Sequence, residues 1–186
     1  MPYNCILRLL ILSLILSSCK EEVLPKPKAM LRLEYKAGDL EQYSAKTYRF
    51  EFNRKAVVEK ETESSVTLKY PDMKGSIFLT YKPVKGNLTQ LLSDAQKLSY
   101  EHVVKADNII EQPYVNEDER VYGMYYEVKG NAASQAQFYL TDSLHHFVTG
   151  SLYFYAKPNY DSIYPAAVYL QKDIRRIMET LRWKEE

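Results

Sequence analysis

The chain has 186 residues, with 25 basic and 24 acidic side chains and a net charge of +1. That balance lacks the basic excess of a nucleic-acid-binding protein, and the length suits one domain with a self-sufficient core. Two cysteines, Cys5 and Cys19, are too few for a disulfide framework, so stability has to come from packing.

The first element in chain order is an apolar run from Leu9 to Leu16, broken only by Ser13 and preceded by Arg8. It is shorter than the roughly 20 residues needed to cross a bilayer, so it reads as a removable signal. The run closes on Leu16-Ser17-Ser18-Cys19, small side chains followed by a cysteine, which is how bacteria mark a secreted protein for lipid attachment. Residues 1–18 are therefore expected to leave as a signal peptide, with the cut between Ser18 and Cys19 and the lipid on Cys19. Arg8 and Cys5 leave with the signal, so the mature chain is about neutral and keeps no free thiol. Residues 19–30, with Lys20, Glu21, Glu22, Pro25 and Pro27, show no apolar period and read as an extended tether.

A single domain is expected over residues 31–186. Residues 31–35 alternate in strand fashion, or form only a short extended arm; residues 48–52 alternate as well, and the stretch between them is hard to read. Strands are expected at 66–70 and 76–81, joined as a hairpin by the turn-rich residues 71–75. Asn87, with Gln90 three residues on in capping-box register, should begin a helix with Leu88, Leu91, Leu92, Ala95, Leu98 and Val103 on its apolar face. Four strands follow at 109–115, 121–129, 134–141 and 146–156, separated by short turns and so predicted to form an antiparallel meander. Ser162 is placed as the cap of a last helix whose first turn tolerates Pro165 and whose stripe is Ile163, Ala167, Leu170, Ile174, Ile177, Met178 and Leu181, with Trp183 packing at its end. This order predicts an α+β fold, an antiparallel sheet covered by a mid-chain helix and a C-terminal helix. It is similar to the Mog1/PsbP-like sandwich. Strand tyrosines such as Tyr122, Tyr125, Tyr126, Tyr139, Tyr153 and Tyr155 suit half-buried positions, with a contact surface as the other reading.

Several segments recur together in a known order. They are Leu31-Arg32-Leu33-Glu34-Tyr35, Ile77-Phe78-Leu79-Thr80-Tyr81-Lys82-Pro83, Tyr122-Gly123-Met124-Tyr125-Tyr126-Glu127-Val128, Asn131-Ala132-Ala133-Ser134-Gln135, Phe138-Tyr139-Leu140-Thr141-Asp142-Ser143 and Gly150-Ser151-Leu152-Tyr153-Phe154-Tyr155. On these the chain resembles the gliding-motility lipoprotein GldD family. The resemblance implies a Bacteroidota cell, a membrane-anchored envelope protein, and a part in gliding motility and the associated type IX secretion machinery. It carries no catalytic motif; only the lipid-acceptor cysteine transfers, onto Cys19. It also implies envelope proteins of that machinery as partners, most simply at the outer membrane facing the periplasm, with Lys20-Glu21-Glu22 as a signal for surface display in the alternative.

The chemistry visible in the residues is sparse. His145 and His146, read as strand neighbours, should point to opposite faces and share no ion. His102 falls beside the apolar stripe of the mid-chain helix and reads as a core-edge residue. Ser134 and Ser143 lack the setting of an activated nucleophile, Glu117-Asp118-Glu119 reads as a solvated turn, and the glycines in Val84-Lys85-Gly86-Asn87 and Val128-Lys129-Gly130-Asn131 read as turns. No catalytic residue, metal or cofactor is therefore expected. The leading reading is a non-enzymatic structural or assembly lipoprotein. A periplasmic module binding a peptide or small ligand is the alternative, and an envelope hydrolase would require carboxylates or histidines from distant strands to meet in one cleft.

Overall fold

The computed structural model describes residues 29, 31–36, 38–101, 105–155 and 159–184. Ser18 and Cys19, most of the expected tether, His102 and Val103 lie outside these. Within them the chain forms strands β1 (Leu40–Ser44), β2 (Tyr48–Asn53), β3 (Val57–Glu61), β4 (Ser65–Tyr70) and β5 (Gly75–Pro83), then helix α1 (Leu88–Tyr100). The meander follows as β6 (Ala106–Asn116), β7 (Val121–Gly130), β8 (Ser134–Thr141) and β9 (His146–Phe154); helix α2 (Tyr160–Thr180) and the two-residue β10 (Arg182–Trp183) close the chain. The expected α+β class is what the chain adopts, but with two sheets. One is β1-β2-β10; the other has seven strands in the order β3-β4-β5-β9-β8-β7-β6, and every pairing is antiparallel.

Alternation sends the apolar residues of the large sheet to two different covers. Leu68, Ile77, Leu79, Phe138, Leu140, Val148 and Leu152 are buried in one cluster with Phe50 and Phe52 of β2 and with Leu170, Ile174, Ile177 and Met178 of α2. On the other face Phe147 and Tyr139 meet Leu88, Leu91, Leu92 and Ala95 of α1. Gly150 lies opposite Phe138 on β8, and a Cβ there would fall 2.1 Å from the Phe138 ring, so the aromatic occupies the space that any other residue's side chain would need. The strand tyrosines divide accordingly: Tyr125 and Tyr126 are buried, Tyr122, Tyr139 and Tyr153 half-buried, and Tyr155 exposed.

Several local expectations need correction. Asn87 holds the N-cap position of α1 as expected, its carbonyl accepting the Leu91 N–H at 3.1 Å, but its side chain makes no capping bond: Oδ1 accepts from the Lys85 N–H at 2.8 Å, while Gln90 reaches forward to Asp94 at 2.7 Å. α2 starts at Tyr160 after Asn159, so Ser162 is already helical, its hydroxyl donating to Asn159 O at 2.9 Å, and Pro165 sits past the first turn. β9 ends at Phe154, and the Tyr155 N–H, donating to Lys74 O at 2.7 Å, carries the β5–β9 register one residue further. Residues 31–36 form an arm without regular structure. That arm is fastened by Tyr35, whose ring lies 5.1 Å from that of Tyr169 and whose hydroxyl donates to Asp173 Oδ1 at 2.7 Å.

Asp173 is fully buried on the inner face of α2. Besides Tyr35 it accepts the Asn53 N–H on Oδ1 at 2.9 Å and the Tyr70 hydroxyl on Oδ2, so one carboxyl joins the arm, β2, β4 and α2. Burial pushes its pKa up to about 6, and the hydrogen bonds from Tyr35 and Asn53 offset only part of that rise.

Candidate functional site

The turn from β8 to β9 is organised by one carboxylate. Asp142 Oδ1 accepts the N–H groups of Leu144 (3.0 Å), His145 (2.8 Å) and His146 (2.8 Å), and Thr141 Oγ1 donates to His146 O at 2.6 Å. Burial works against the ionised carboxyl, yet the backbone donors outweigh it and hold Asp142 below the usual carboxylate range. This geometry corrects the strand reading of the two histidines. His145 belongs to the turn and only His146 to β9, so the strand alternation that would separate them does not apply, and their rings lie 6.2 Å apart in the same cleft.

That cleft, about 640 Å³, opens between this turn, the segment after β5, the β6–β7 turn and β10. Its aromatic wall is continuous with the core. Tyr48 and Tyr81 stack at 5.9 Å, the Tyr81 hydroxyl is 3.0 Å from His146 Nδ1, and His146 stacks on Trp183 at 5.0 Å with the rings 14° from parallel. Trp183 is further pinned by its Nε1–H, which donates to Arg120 O at 3.1 Å. Next to it Arg182 Nε pairs with Glu119 at 2.9 Å, tying β10 to the β6–β7 turn. Lys184 follows, its ammonium donating to Ser44 Oγ at 2.6 Å and Ala45 O at 2.5 Å.

The segment 117–119 is a turn as expected, although Asp118 and Glu119 also line the cleft. Gly86 and Gly130 both have positive φ, +73° and +102°, which suits glycine at these chain reversals. Ser134 is buried, its hydroxyl shared between Ala136 O and Leu152 O, and Ser143 occupies the left-handed region at φ +70° in the β8–β9 turn. Among the described residues no group of three or more histidines, cysteines, aspartates and glutamates is placed to hold a metal ion. Tyr81, Lys85, Arg120, Asp142 and Lys184 had not been singled out as site residues. Asp142 could have been: an aspartate directly after a strand, two residues after an apolar position, is positioned to collect the N–H groups of the turn that follows.

Fold and site together define an α+β domain with a preformed cleft at one loop end of its large sheet. The chain belongs to the gliding motility lipoprotein GldD family, which it matches over residues 20–183. Membership gives it a role in gliding motility and an association with the cell-envelope membrane. No curated protein matches the chain. Among the described residues no helix is long and apolar enough to cross a membrane.

Proposed function

We propose that the protein is a non-enzymatic assembly component of the gliding apparatus and of the type IX secretion route that accompanies it, held by a lipid on Cys19 at the outer membrane and facing the periplasm. The observation that carries this reading is the family match over residues 20–183. The placement of Ser17, Ser18 and Cys19 after an apolar run supports the anchor, and several acyl chains at one cysteine would hold where a single chain would not.

The cleft does gather histidines and carboxylates from around two separate turns, β6–β7 and β8–β9, the kind of meeting a hydrolase would need. Its groups are engaged structurally, however. Asp142 is organised around three backbone donors, Tyr81 lies at hydrogen-bond distance from His146 Nδ1, and the described lining residues include no serine, threonine or cysteine to act as nucleophile. This favours holding a partner or ligand over acyl transfer.

A deletion strain tests the reading. It should fail to glide and should retain type IX substrates in the cell, and the chain with His145→Gln should restore both, because glutamine keeps the polarity of this exposed side chain while removing acid–base chemistry. Normal gliding and secretion after deletion would refute the proposal; failure of His145→Gln at normal abundance and location would turn it towards an enzyme.

A further inference from the structure

The charges around the cleft do not cancel. Glu119 is paired with Arg182, and Asp142 is held by three N–H groups with His145 Nδ1 3.6 Å from its second oxygen. Asp118 is left as an acidic group without a partner among the described residues. Against it stand Lys85 and Arg120, whose charged heads also meet no partner among the described residues, and Lys184, whose ammonium donates only to neutral oxygens. With Arg182 counted, four cations face the three carboxylates Asp118, Glu119 and Asp142, so the cleft carries one positive charge in excess, and its unpaired cationic heads lie beside an aromatic wall.

Most main-chain donors around it are already engaged. The N–H of Val84 donates to His145 O, that of Lys85 to Asn87 Oδ1, that of Arg120 to Glu117 O and that of Lys184 to Thr47 O, while those of Leu144, His145 and His146 all go to Asp142. A peptide adding itself as a strand would need such donors. What the cleft offers is side chains: flat rings, cations, and an acceptor at Asp118. Its volume falls within the range of small-molecule sites, roughly 300–1,000 Å³.

We propose that this cleft binds an acidic saccharide. A sugar ring lies against the wall formed by Trp183 and His146, its carboxylate or phosphate is held by Arg120 and Lys85, and Asp118 accepts from ring hydroxyls. A guanidinium matches either oxyanion through paired N–H donors, and charge-assisted hydrogen bonds are the strong ones. This goes beyond the role in gliding and is tested apart from it, on purified protein instead of in a deletion strain.

Trp183 is the single tryptophan of the chain, so its emission reports on the cleft directly. The full chain in detergent would be titrated with trigalacturonate as the carboxylate source and glucose 6-phosphate as the phosphate source. Maltotriose supplies rings without charge, and triglutamate charge without sugar rings. A saturable emission change is expected with at least one of the two acidic sugars, and which one responds identifies the anion. Arg120→Gln and Lys85→Gln should each weaken that binding about ten-fold without moving the urea midpoint, and about 0.5 M NaCl should weaken it as well. Silence to both acidic sugars would overturn the site. Equal binding of maltotriose would remove the part given to charge, and equal binding of triglutamate the part given to the sugar ring; either result overturns the proposal.

Discussion

Replacing Asp173 with asparagine should abolish a pH dependence of stability that runs opposite to ordinary acid denaturation. The carboxyl is fully buried and its pKa is pushed from 3.8 to about 6 by that burial. Between these values the folded chain holds the proton and the unfolded chain has released it. Stability then falls as pH rises. The contribution is fully present below the unfolded pKa and is lost as pH climbs through about 6; about two pKa units at 1.36 kcal/mol each make the loss ~3 kcal/mol. Asparagine does not titrate. Its amide can still accept from Tyr35 and Asn53 through oxygen, while its NH₂ faces the Tyr70 hydroxyl, which can rotate to accept, so its cost is the same at every pH. Urea denaturation of the purified chain, followed by Trp183 emission from about pH 4 to 7, gives both curves, and other carboxylates cancel in the difference. Wild type should lose stability relative to Asp173→Asn by about 2–2.5 kcal/mol between pH 4 and 7, the rest of the loss lying outside that window. A difference that stays constant with pH would show that the buried carboxyl does not titrate there, and would refute the reasoning.

Gly150→Ala should destabilise by about 1–3 kcal/mol, measured as a lowered urea midpoint, because its Cβ would fall 2.1 Å from the Phe138 ring in the centre of the large sheet. Ile174→Ala, at a fully buried site on α2, should cost about 2–5 kcal/mol. Leu92→Ala should cost less in the same assay, since Leu92 is only half-buried beside α1's buried Leu91; an equal loss would contradict the assignment of the α1 face. Cys19→Ala should move the protein from the membrane to the soluble fraction on cell fractionation, and an unchanged distribution would exclude Cys19 as the anchor.

The parts of this fold that were legible in the sequence are those with a clear apolar period or with turn signals at both ends. The stripe of α2 follows from 3.6-residue spacing because burial enforces it, whereas the meander is legible from strand-forming runs separated by short turns: β6 has no buried residue and β8 is buried on both faces. β1 and β3 escaped for the converse reason. In β1 only Tyr43 is buried, and in β3 Val57 and Val58 are successive and both exposed, so neither strand shows a period. The second sheet could not be anticipated, since β10 has two residues and pairs with β2 far back in the chain. Asp173 was visible as an anomaly: it lies between Leu170 and Ile174 on the apolar stripe, where an acid must find donors. The cleft was invisible because it depends on the single carboxylate of Asp142 reshaping a turn and on Trp183 being carried by β10 to His146.

The fastening of the arm has a mechanical consequence. If the proposed lipid on Cys19 is the anchor, tension from the membrane enters the fold where the arm packs on the core at Leu33 and Tyr35, the first of them fourteen residues downstream, so the domain would stand at most about 50 Å from its anchor. The load would pass into the core through the packing of Leu33 and into α2 through the Tyr35–Asp173 hydrogen bond and the packing of Tyr35 on Tyr169, all before β1 begins. Because that latch stands in series ahead of the β1–β2 ladder, it has to yield before a pull can begin to unzip the small sheet.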